Sequence, residues 1–155
     1  MEAVELKPYT FRSYELTDIP FIQSSWGNSY YEGVNGHKLL EGQDFHKHHR
    51  PIREAILNKP NIAIIVCAST EDPDLIIGYI IVEKPESSDY SVLHYVYVKQ
   101  AFKRQGIARE LFKRSITKKP VMYTHETITA GRVFTKFKVK NRECLDRYFH
   151  APHLL

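Results

Sequence analysis

A basic loop between an apolar segment and an amphipathic segment is the part of this sequence best suited to chemistry. Residues 90–98 are rich in β-branched and aromatic side chains, which predicts a strand. Residues 99–105 are mostly polar or basic, and Gly106 opens a helical pattern. The first N–H groups of a helix are unpaired and attract phosphate, and a glycine there lets a ligand approach the backbone. Lys103 and Arg104 add full positive charges, so the segment predicts an anion-binding loop.

His94 lies on the same predicted strand, four residues before Val98 and twelve before Gly106. Imidazole titrates near neutral pH and can accept a proton from a reacting group. Alternation along a strand predicts that Tyr95 and Tyr97 point to the opposite side. The competing interpretation of His94 is an inert, hydrogen-bonded side chain on a strand face.

The pattern of the whole chain predicts one mixed α/β domain over residues 1–155, in the order β-α-α-β-β-β-α-β-α-β. Asp18 and Asp44 are candidate caps of the first two helices, and Pro51 could split or kink the second. Residues 28–42 read as an irregular connection. The predicted strands cover 11–16, 62–68, 75–82, 90–98, 121–124 and part of 139–149, and the later helices cover 106–116 and 129–137.

Composition narrows the class of partner. The 155 residues include 22 Lys and Arg against 18 Asp and Glu, a net charge of +4 that suits an anionic ligand. No aromatic stacking platform accompanies the basic stretch 99–119, which argues against nucleic acid. No secretory signal and no membrane-length apolar run is visible, and the two cysteines, Cys67 and Cys144, are predicted to be reduced. These features predict a cytoplasmic protein.

The hexapeptide Lys103-Arg104-Gln105-Gly106-Ile107-Ala108 resembles a motif of the GNAT acetyltransferases. In that family the third helix opens with Arg or Gln, two residues, Gly, one residue, and Gly or Ala. Here Lys stands at the first position. The strand 95–98 and the element order from residue 11 to about 137 resemble the family as well. The resemblance implies a twisted, mostly antiparallel sheet of about six strands flanked by helices.

The resemblance also implies that acetyl-CoA is the co-substrate. Family members bind the CoA pyrophosphate mainly through backbone N–H groups of the loop, here residues 103–108. The strand before the loop splays from its neighbour, often at a bulge, and the pantetheine arm pairs with its backbone. Val96 and Val98 would supply those contacts, and the Val96 N–H would face the thioester oxygen. The acetyl group would pass directly to a primary amine of a small molecule or a protein.

The resemblance suggests catalytic roles for His94 and Tyr123. Several family members place a catalytic carboxylate at the strand position of His94, which makes His94 the candidate general base, with Glu15 and Glu83 as more distant alternatives. The family often uses a Tyr, where this chain has Phe134, to protonate the thiolate. Tyr123 is the candidate replacement. His125, Tyr148 or water are the alternatives.

Trp26, Tyr30 and Tyr31 fall where the family walls the acceptor site, so they are predicted to contact the acceptor. Packing over the sheet is the alternative role for these rings. A second group, His46, His48 and His49, has helical spacing but lacks a close fourth ligand, so no metal is predicted there. A role facing the acceptor is the preferred interpretation of these histidines.

A non-catalytic protein of the same fold, acting through a macromolecular partner, is the alternative function. Phe134 and the Lys at the start of the loop favour it. The short chain and the tail 148–153 also resemble small GNAT-like proteins carried by phages or bacteria. The sequence leaves a homodimer open.

Overall fold

The computed structural model describes residues 8–34, 41–117, 120–125, 127 and 148–150, the last three by their backbone alone. Within these residues the chain forms six strands and three helices. The strands are β1 (Tyr9–Ser13), β2 (Ile62–Ser69), β3 (Ile76–Glu83), β4 (Ser91–Val98), β5 (Val121–Tyr123) and β6 (Tyr148–His150). The helices are α1 (Ile19–Gly33), α2 (Gly42–Leu57) and α3 (Ile107–Ser115).

The described strands form one sheet in sequence order, β1 to β6. The pairs from β1 to β4 are antiparallel. Because α3 carries the chain back across the sheet, β5 runs parallel to β4. β6 also runs parallel to β5. The predicted mostly antiparallel α/β sheet is confirmed.

Each face of the sheet buries its own core. The α1–α2 face is packed by α1 and α2, and the α3 face by α3. Buried residues of the α1–α2 face are Ile22, Trp26, Ile56, Ile64, Val66, Ala68, Ile76, Tyr79, Ile81 and Tyr95. Those of the α3 face are Cys67, Ile77, Ile80, Val82, Leu93, Ile107, Leu111, Val121 and Tyr123.

The entry into α1 corrects part of the prediction. The first strand ends at Ser13, and a single 3₁₀ turn leads into the helix. Asp18 is the N-cap residue of α1, but its carboxylate does not cap that helix. It accepts the backbone N–H of Glu15 at 2.7 Å and pairs with Arg12 at 2.7 Å. The carboxylate therefore ties the 3₁₀ turn to β1.

Both helices of the α1–α2 face differ from the prediction, because α1 is longer and α2 is continuous. The expected irregular connection at 28–42 is wrong in its first part, since α1 continues to Gly33 and places Tyr30 and Tyr31 on its last turns. α2 begins at Gly42, with Asp44 in its first turn. It runs through Pro51 without a break. Proline has no N–H, so the Lys47 carbonyl lacks its usual helical donor. Lys47 and Pro51 are both exposed, so water can donate a hydrogen bond to this carbonyl.

Two predicted elements concern the C-terminal part of the chain. The helix predicted at 129–137 lies outside the described residues. Most of the strand predicted at 139–149 does too, although β6 overlaps its end. No helix in the described ranges combines the length and apolar character needed to cross a bilayer.

Candidate active site

A β-bulge in β4 is centred on His94. Ile81 pairs with Tyr95 and Val82 pairs with Leu93, so one step along β3 spans two along β4 and leaves His94 without a partner. Tyr95 packs in the core of the α1–α2 face. His94 bonds to Glu83, which lies two residues after Ile81 on that same face. The predicted opposite orientation of Tyr95 is therefore wrong, because the bulge interrupts the alternation.

The bulge coincides with the point where β4 and β5 separate. Their pairing covers Leu93 and the two residues before it, and the N–H of Thr124 donates to the Leu93 carbonyl at 3.1 Å. Among the described residues, no strand pairs with β4 on this side after Leu93. We call this opening the fork. Val96 and Val98, the predicted pantetheine contacts, lie along its open edge and are half-buried.

His94 is fully enclosed at the fork. Its Nε2 lies 2.8 Å from Oε1 of Glu83, and its Nδ1 lies 2.9 Å from Oγ1 of Thr124. Burial lowers the pKa of His94, and the hydrogen bond and charge of Glu83 oppose that shift. The imidazole is thus neutral at pH 7, and a carboxylate on one side and a hydroxyl on the other fix its ring.

The hydrogen bonds continue from Thr124 away from the fork. Oγ1 of Thr124 also lies 2.9 Å from Nδ1 of His125. Nε2 of His125 lies 2.9 Å from Nε2 of His49 on α2, and Nδ1 of His49 lies 2.6 Å from an Nη1 of Arg53. Arg53 also donates its Nε–H to Gln23 on α1 at 2.9 Å. One chain of side chains therefore joins the fork to the outer helices.

Arg53 sets the direction of hydrogen bonding at one end of this chain. A guanidinium can only donate, so Nδ1 of His49 must accept. Neutral His49 then carries its proton on Nε2 and donates it to Nε2 of His125. Neutral His125 in turn carries its proton on Nδ1, facing Thr124.

The same reasoning continues to the carboxylate. Thr124 accepts the proton of His125 and has its own hydroxyl proton to donate to Nδ1 of His94. His94 is then protonated on Nε2, which donates to Glu83. Every shared proton has one donor and one acceptor, so the chain from Arg53 to Glu83 has a single consistent arrangement.

Burial keeps the two linking histidines neutral. It is the largest cause that lowers the pKa of His49 to about 4 and that of His125 to about 3, and nearby Arg53 adds to both shifts. Both imidazoles are therefore neutral at pH 7, with one N–H each, as the arrangement of donors and acceptors requires.

Aromatic rings enclose this chain. Trp26 is fully buried and stacks on Tyr95 at 5.6 Å between centroids. This placement in the core argues against its predicted contact with the acceptor. Tyr30 is half-buried, stacks on His49 at 4.9 Å and meets His125 edge-on at 4.9 Å. Tyr31 is also half-buried and packs against Phe45.

The basic loop has an exposed backbone with two residues at positive φ. Lys103, Arg104, Gln105 and Gly106 are exposed, and Gly106 is the N-cap residue of α3 with φ of 82°. Arg104 also has a positive φ, of 67°. Alternation of such residues turns successive N–H groups toward one point. A Cβ added at Gly106 would meet no atom within 4 Å, so open space faces this backbone.

The remaining loop residues and the predicted proton donor lie deeper. Ile107 is buried on the α3 face and Ala108 is half-buried, so only their backbone can serve a ligand. Tyr123, on β5, is 9% exposed and also packs on the α3 face. Phe134 lies outside the described residues. His46 is half-buried and His48 exposed, and the described residues contain no group of three His, Cys, Asp or Glu side chains placed to hold a metal.

Comparison with known proteins identifies the family. Residues 25–119 match the sequence profile of the acetyltransferase (GNAT) family. The chain belongs to the GNAT acetyltransferases. The predictions of family, of acyl transfer and of acetyl-CoA as co-substrate are thereby confirmed. A search among curated proteins finds no match.

Solved structures of GNAT acetyltransferases share the fold at low sequence identity. A Pyrococcus furiosus protein assigned as an acetyltransferase superimposes with a TM-score of 0.64 at 14% identity, over 84% of this chain and 91% of its own. One from Bacillus subtilis gives 0.62 at 10%, over 86% and 90%. The PaiA N-acetyltransferase of Thermoplasma acidophilum, solved with coenzyme A, gives 0.51 at 11%, over 68% of each chain.

Sequence reasoning found His94 and the loop of this GNAT protein but missed most of the hydrogen-bonded chain. Thr124 and Arg53 were not singled out, Glu83 was only a distant alternative, and His49 was considered only within a possible metal or acceptor group. The available signal was the pair Thr124-His125 directly after a short strand. It becomes informative only when the parallel register of β5 places it beside the bulge.

Proposed function

We propose that the protein transfers the acetyl group of acetyl-CoA directly to a primary amine, on a small molecule or a protein, at the fork. The observation that carries this proposal is the position of His94. It is the bulged residue where β4 and β5 separate, and it is held between Glu83 and Thr124. A neutral base is therefore fixed beside the opening in which the family accommodates the thioester.

Acetyl-CoA supplies the activated acyl group and fits the surfaces on either side of the fork. Residues 103–108 present backbone N–H groups and the charges of Lys103 and Arg104 to its pyrophosphate. The open edge of β4 offers the backbone of Val96 and Val98 to the pantetheine arm. The Val96 N–H stabilises the thioester oxygen as negative charge develops there.

His94 receives the proton of the attacking amine through Thr124. The ring is fully enclosed, and the Thr124 hydroxyl lies against its Nδ1, so we place the hydroxyl of this 3% exposed residue between the amine and the ring. As the amine gives its proton to Oγ1, the hydroxyl proton moves to Nδ1 of His94. Glu83, bonded to Nε2, stabilises the resulting imidazolium. His94 therefore acts as the general base, with Thr124 as a shuttle and Glu83 as a positioning residue.

Two further roles complete the proposal. Tyr30 and Tyr31 border the acceptor side of the fork, where their half-buried rings can contact the carbon skeleton of the amine. Tyr123, the last residue of β5, is the candidate donor of a proton to the departing thiolate, and Thr124 follows it directly. Trp26 is not included, because it is fully buried.

Two substitutions test the proposal through opposite outcomes. His94→Gln keeps hydrogen-bonding groups at the ring positions but removes the base, so we expect kcat to fall roughly 10²–10⁴-fold with unchanged affinity for CoA. Gly106→Glu places a carboxylate against the pyrophosphate, so we expect CoA affinity to fall about 100-fold or more. Calorimetry with CoA and a thiol-release assay with an amine panel measure the two quantities.

The control for Gly106→Glu is Gly106→Ala, which introduces the strain of a positive φ without the charge. We expect it to weaken CoA binding much less. Wild-type turnover in His94→Gln at every pH would remove His94 from the base role. CoA binding that survives Gly106→Glu would refute the assignment of the loop.

A further inference from the structure

A second cavity lies between α1 and α2, and none of the fork residues lines it. Its volume is about 510 Å³. Ile19 and Pro20 contribute apolar surface to its lining, and no lining residue is a carboxylate. The other lining residues are polar or basic: Gln23, Ser24, Asn28, His46, Arg50 and Arg53. The cavity therefore presents positive charge to whatever enters it.

Arg53 is the most unusual member of this lining, because no carboxylate of the described residues serves as its counter-ion. It is 5% exposed. It donates Nε–H to Gln23 and one Nη1–H to His49, both neutral acceptors. No carboxylate of the described residues forms an ion pair with it. The nearby Glu54 pairs instead with Arg50, at 3.0 Å.

Three N–H groups of Arg53 have no acceptor among the described residues. A guanidinium carries five N–H donors, and the described structure gives acceptors to two of them. The fully enclosed polar atoms without partners in these residues are Nε1 of Trp26 and Oγ of Ser115. Nη2 of Arg53 is not among them, so it is not fully enclosed, and Arg53 is one of the residues that line the cavity.

Gly27 indicates that the position of this guanidinium is built into α1. A Cβ at Gly27 would lie 2.9 Å from both Cζ and Nη1 of Arg53. Glycine within a helix costs about 1 kcal/mol relative to alanine. Here the missing side chain makes room for a buried cation. A buried cation is expensive unless a negative charge or several acceptors satisfy it.

We propose that this cavity binds a small anionic ligand, whose phosphate or carboxylate group pairs with Arg53. The site is separate from the acetyl-transfer site and does not depend on it. The ligand accepts hydrogen bonds from the remaining N–H groups of Arg53 and neutralises its charge. Because Arg53 also donates to His49, occupancy of the cavity is sensed at the outer end of the chain that leads to the fork.

Side-chain NMR on the whole protein tests this site with inorganic phosphate and with acetate, each titrated against chloride at constant ionic strength. The Gly106→Glu background removes competing phosphate binding at the loop of α3. We expect a saturable shift of the Arg53 Nε–H and of the His49 imidazole nitrogens with one or both anions. Phosphate alone, acetate alone or both would each support the site and define which group it prefers.

Matched variants separate Arg53 from general positive charge. Arg53→Gln should weaken the affinity for the effective anion at least about tenfold. Arg50→Gln, on the same helix, removes an exposed cation already paired with Glu54 and should weaken it only about twofold. If Arg53→Gln does not fold, Gly27→Ala gives the same test, because its methyl group displaces the guanidinium without removing the charge.

Three results would overturn the proposal. The first is the absence of a saturable shift with either anion in the parent protein. The second is unchanged affinity in Arg53→Gln or in Gly27→Ala. The third is equal weakening by Arg50→Gln and Arg53→Gln, which would indicate screening of surface charge and no defined site.

Discussion

The two faces of the sheet are held by different interactions. On the α3 face, Leu111 and its neighbours form an apolar layer, and even Cys67 is an inert thiol whose pKa burial raises to about 11. On the α1–α2 face, an aromatic and aliphatic core encloses a hydrogen-bonded chain of charged and polar side chains. Its members are Glu83, His94, Thr124, His125, His49 and Arg53.

This difference indicates what the buried chain is for. The α3 face shows that the sheet can be covered by apolar packing alone. Buried polar groups cost free energy unless all are satisfied, and replacing them with apolar groups is often neutral or stabilising. The chain on the α1–α2 face therefore contributes little to stability that hydrocarbon could not supply. Its benefit lies in orienting His94 at the fork.

Acid should distinguish the two faces most strongly, because the buried histidines among the described residues all lie on the α1–α2 face. An unfolded imidazole takes up a proton near pH 6.5, but folded His49 and His125 do so only near pH 4 and 3. Between these values the unfolded chain binds more protons, so stability is complete above pH 6.5 and falls as the pH decreases. We expect a loss of roughly 2–3 kcal/mol between pH 6 and pH 5 from these two residues. Urea unfolding across this range measures it.

The matched control for the pH dependence uses two neighbours on α2. His49→Gln removes one buried titrating group and should reduce the pH slope by about half, since each histidine contributes about 1.4 kcal/mol per pH unit. His48→Gln changes an exposed side chain of the same helix and should leave the slope unchanged. A wild-type stability that is flat from pH 6.5 to 5 would contradict the neutral, buried state of the chain.

Removal of the Thr124 hydroxyl should have an effect of similar size. Thr124→Val preserves the shape of the side chain but leaves Nδ1 of His94 without a donor and Nδ1–H of His125 without an acceptor. Because unsatisfied buried groups cost about 1–3 kcal/mol each, we expect a decrease of roughly 2–4 kcal/mol in the free energy of unfolding at pH 7. Thermal and urea unfolding measure this change.

Thr124→Ser is the control, because it keeps the hydroxyl and removes one methyl group. Its loss of stability should be clearly smaller than that of Thr124→Val. If valine were as stable as threonine, the two imidazoles would not depend on this hydroxyl, and the proposed proton shuttle would lose its support.

The sequence was sufficient for the parts of this molecule that local pattern determines. Two apolar runs predict β2 and β3, and the basic loop before Gly106 predicts the start of α3, each to within a few residues. The position of His94 relative to the loop is likewise a matter of counting. These features depend on residues that are close in the sequence, so propensity and motif spacing can predict them.

The bulge and the hydrogen-bonded chain depend on contacts between distant segments. Nothing near Tyr95 shows that it shares a face with His94, because the extra residue arises only from the pairing of β4 with β3. His49 and His125 are 76 positions apart and meet through the packing of α2 beside the end of β5. Trp26 shows the same limit, since the sequence left open both an acceptor contact and packing over the sheet, and its ring lies in the core.

Removal of the Ser115 hydroxyl should change stability least, and it should contrast most clearly with removal of the Thr124 hydroxyl on the other face. Ser115 on α3 is 3% exposed, and its Oγ finds no partner in the described structure. Ser115→Ala removes an unsatisfied polar atom and adds helix propensity, so we expect stabilisation by about 0.5–1.5 kcal/mol in urea unfolding. Removing a hydroxyl would then stabilise the α3 face and destabilise the α1–α2 face. Destabilisation by Ser115→Ala would mean that the α3 face also relies on a polar contact, and the contrast between the faces would fail.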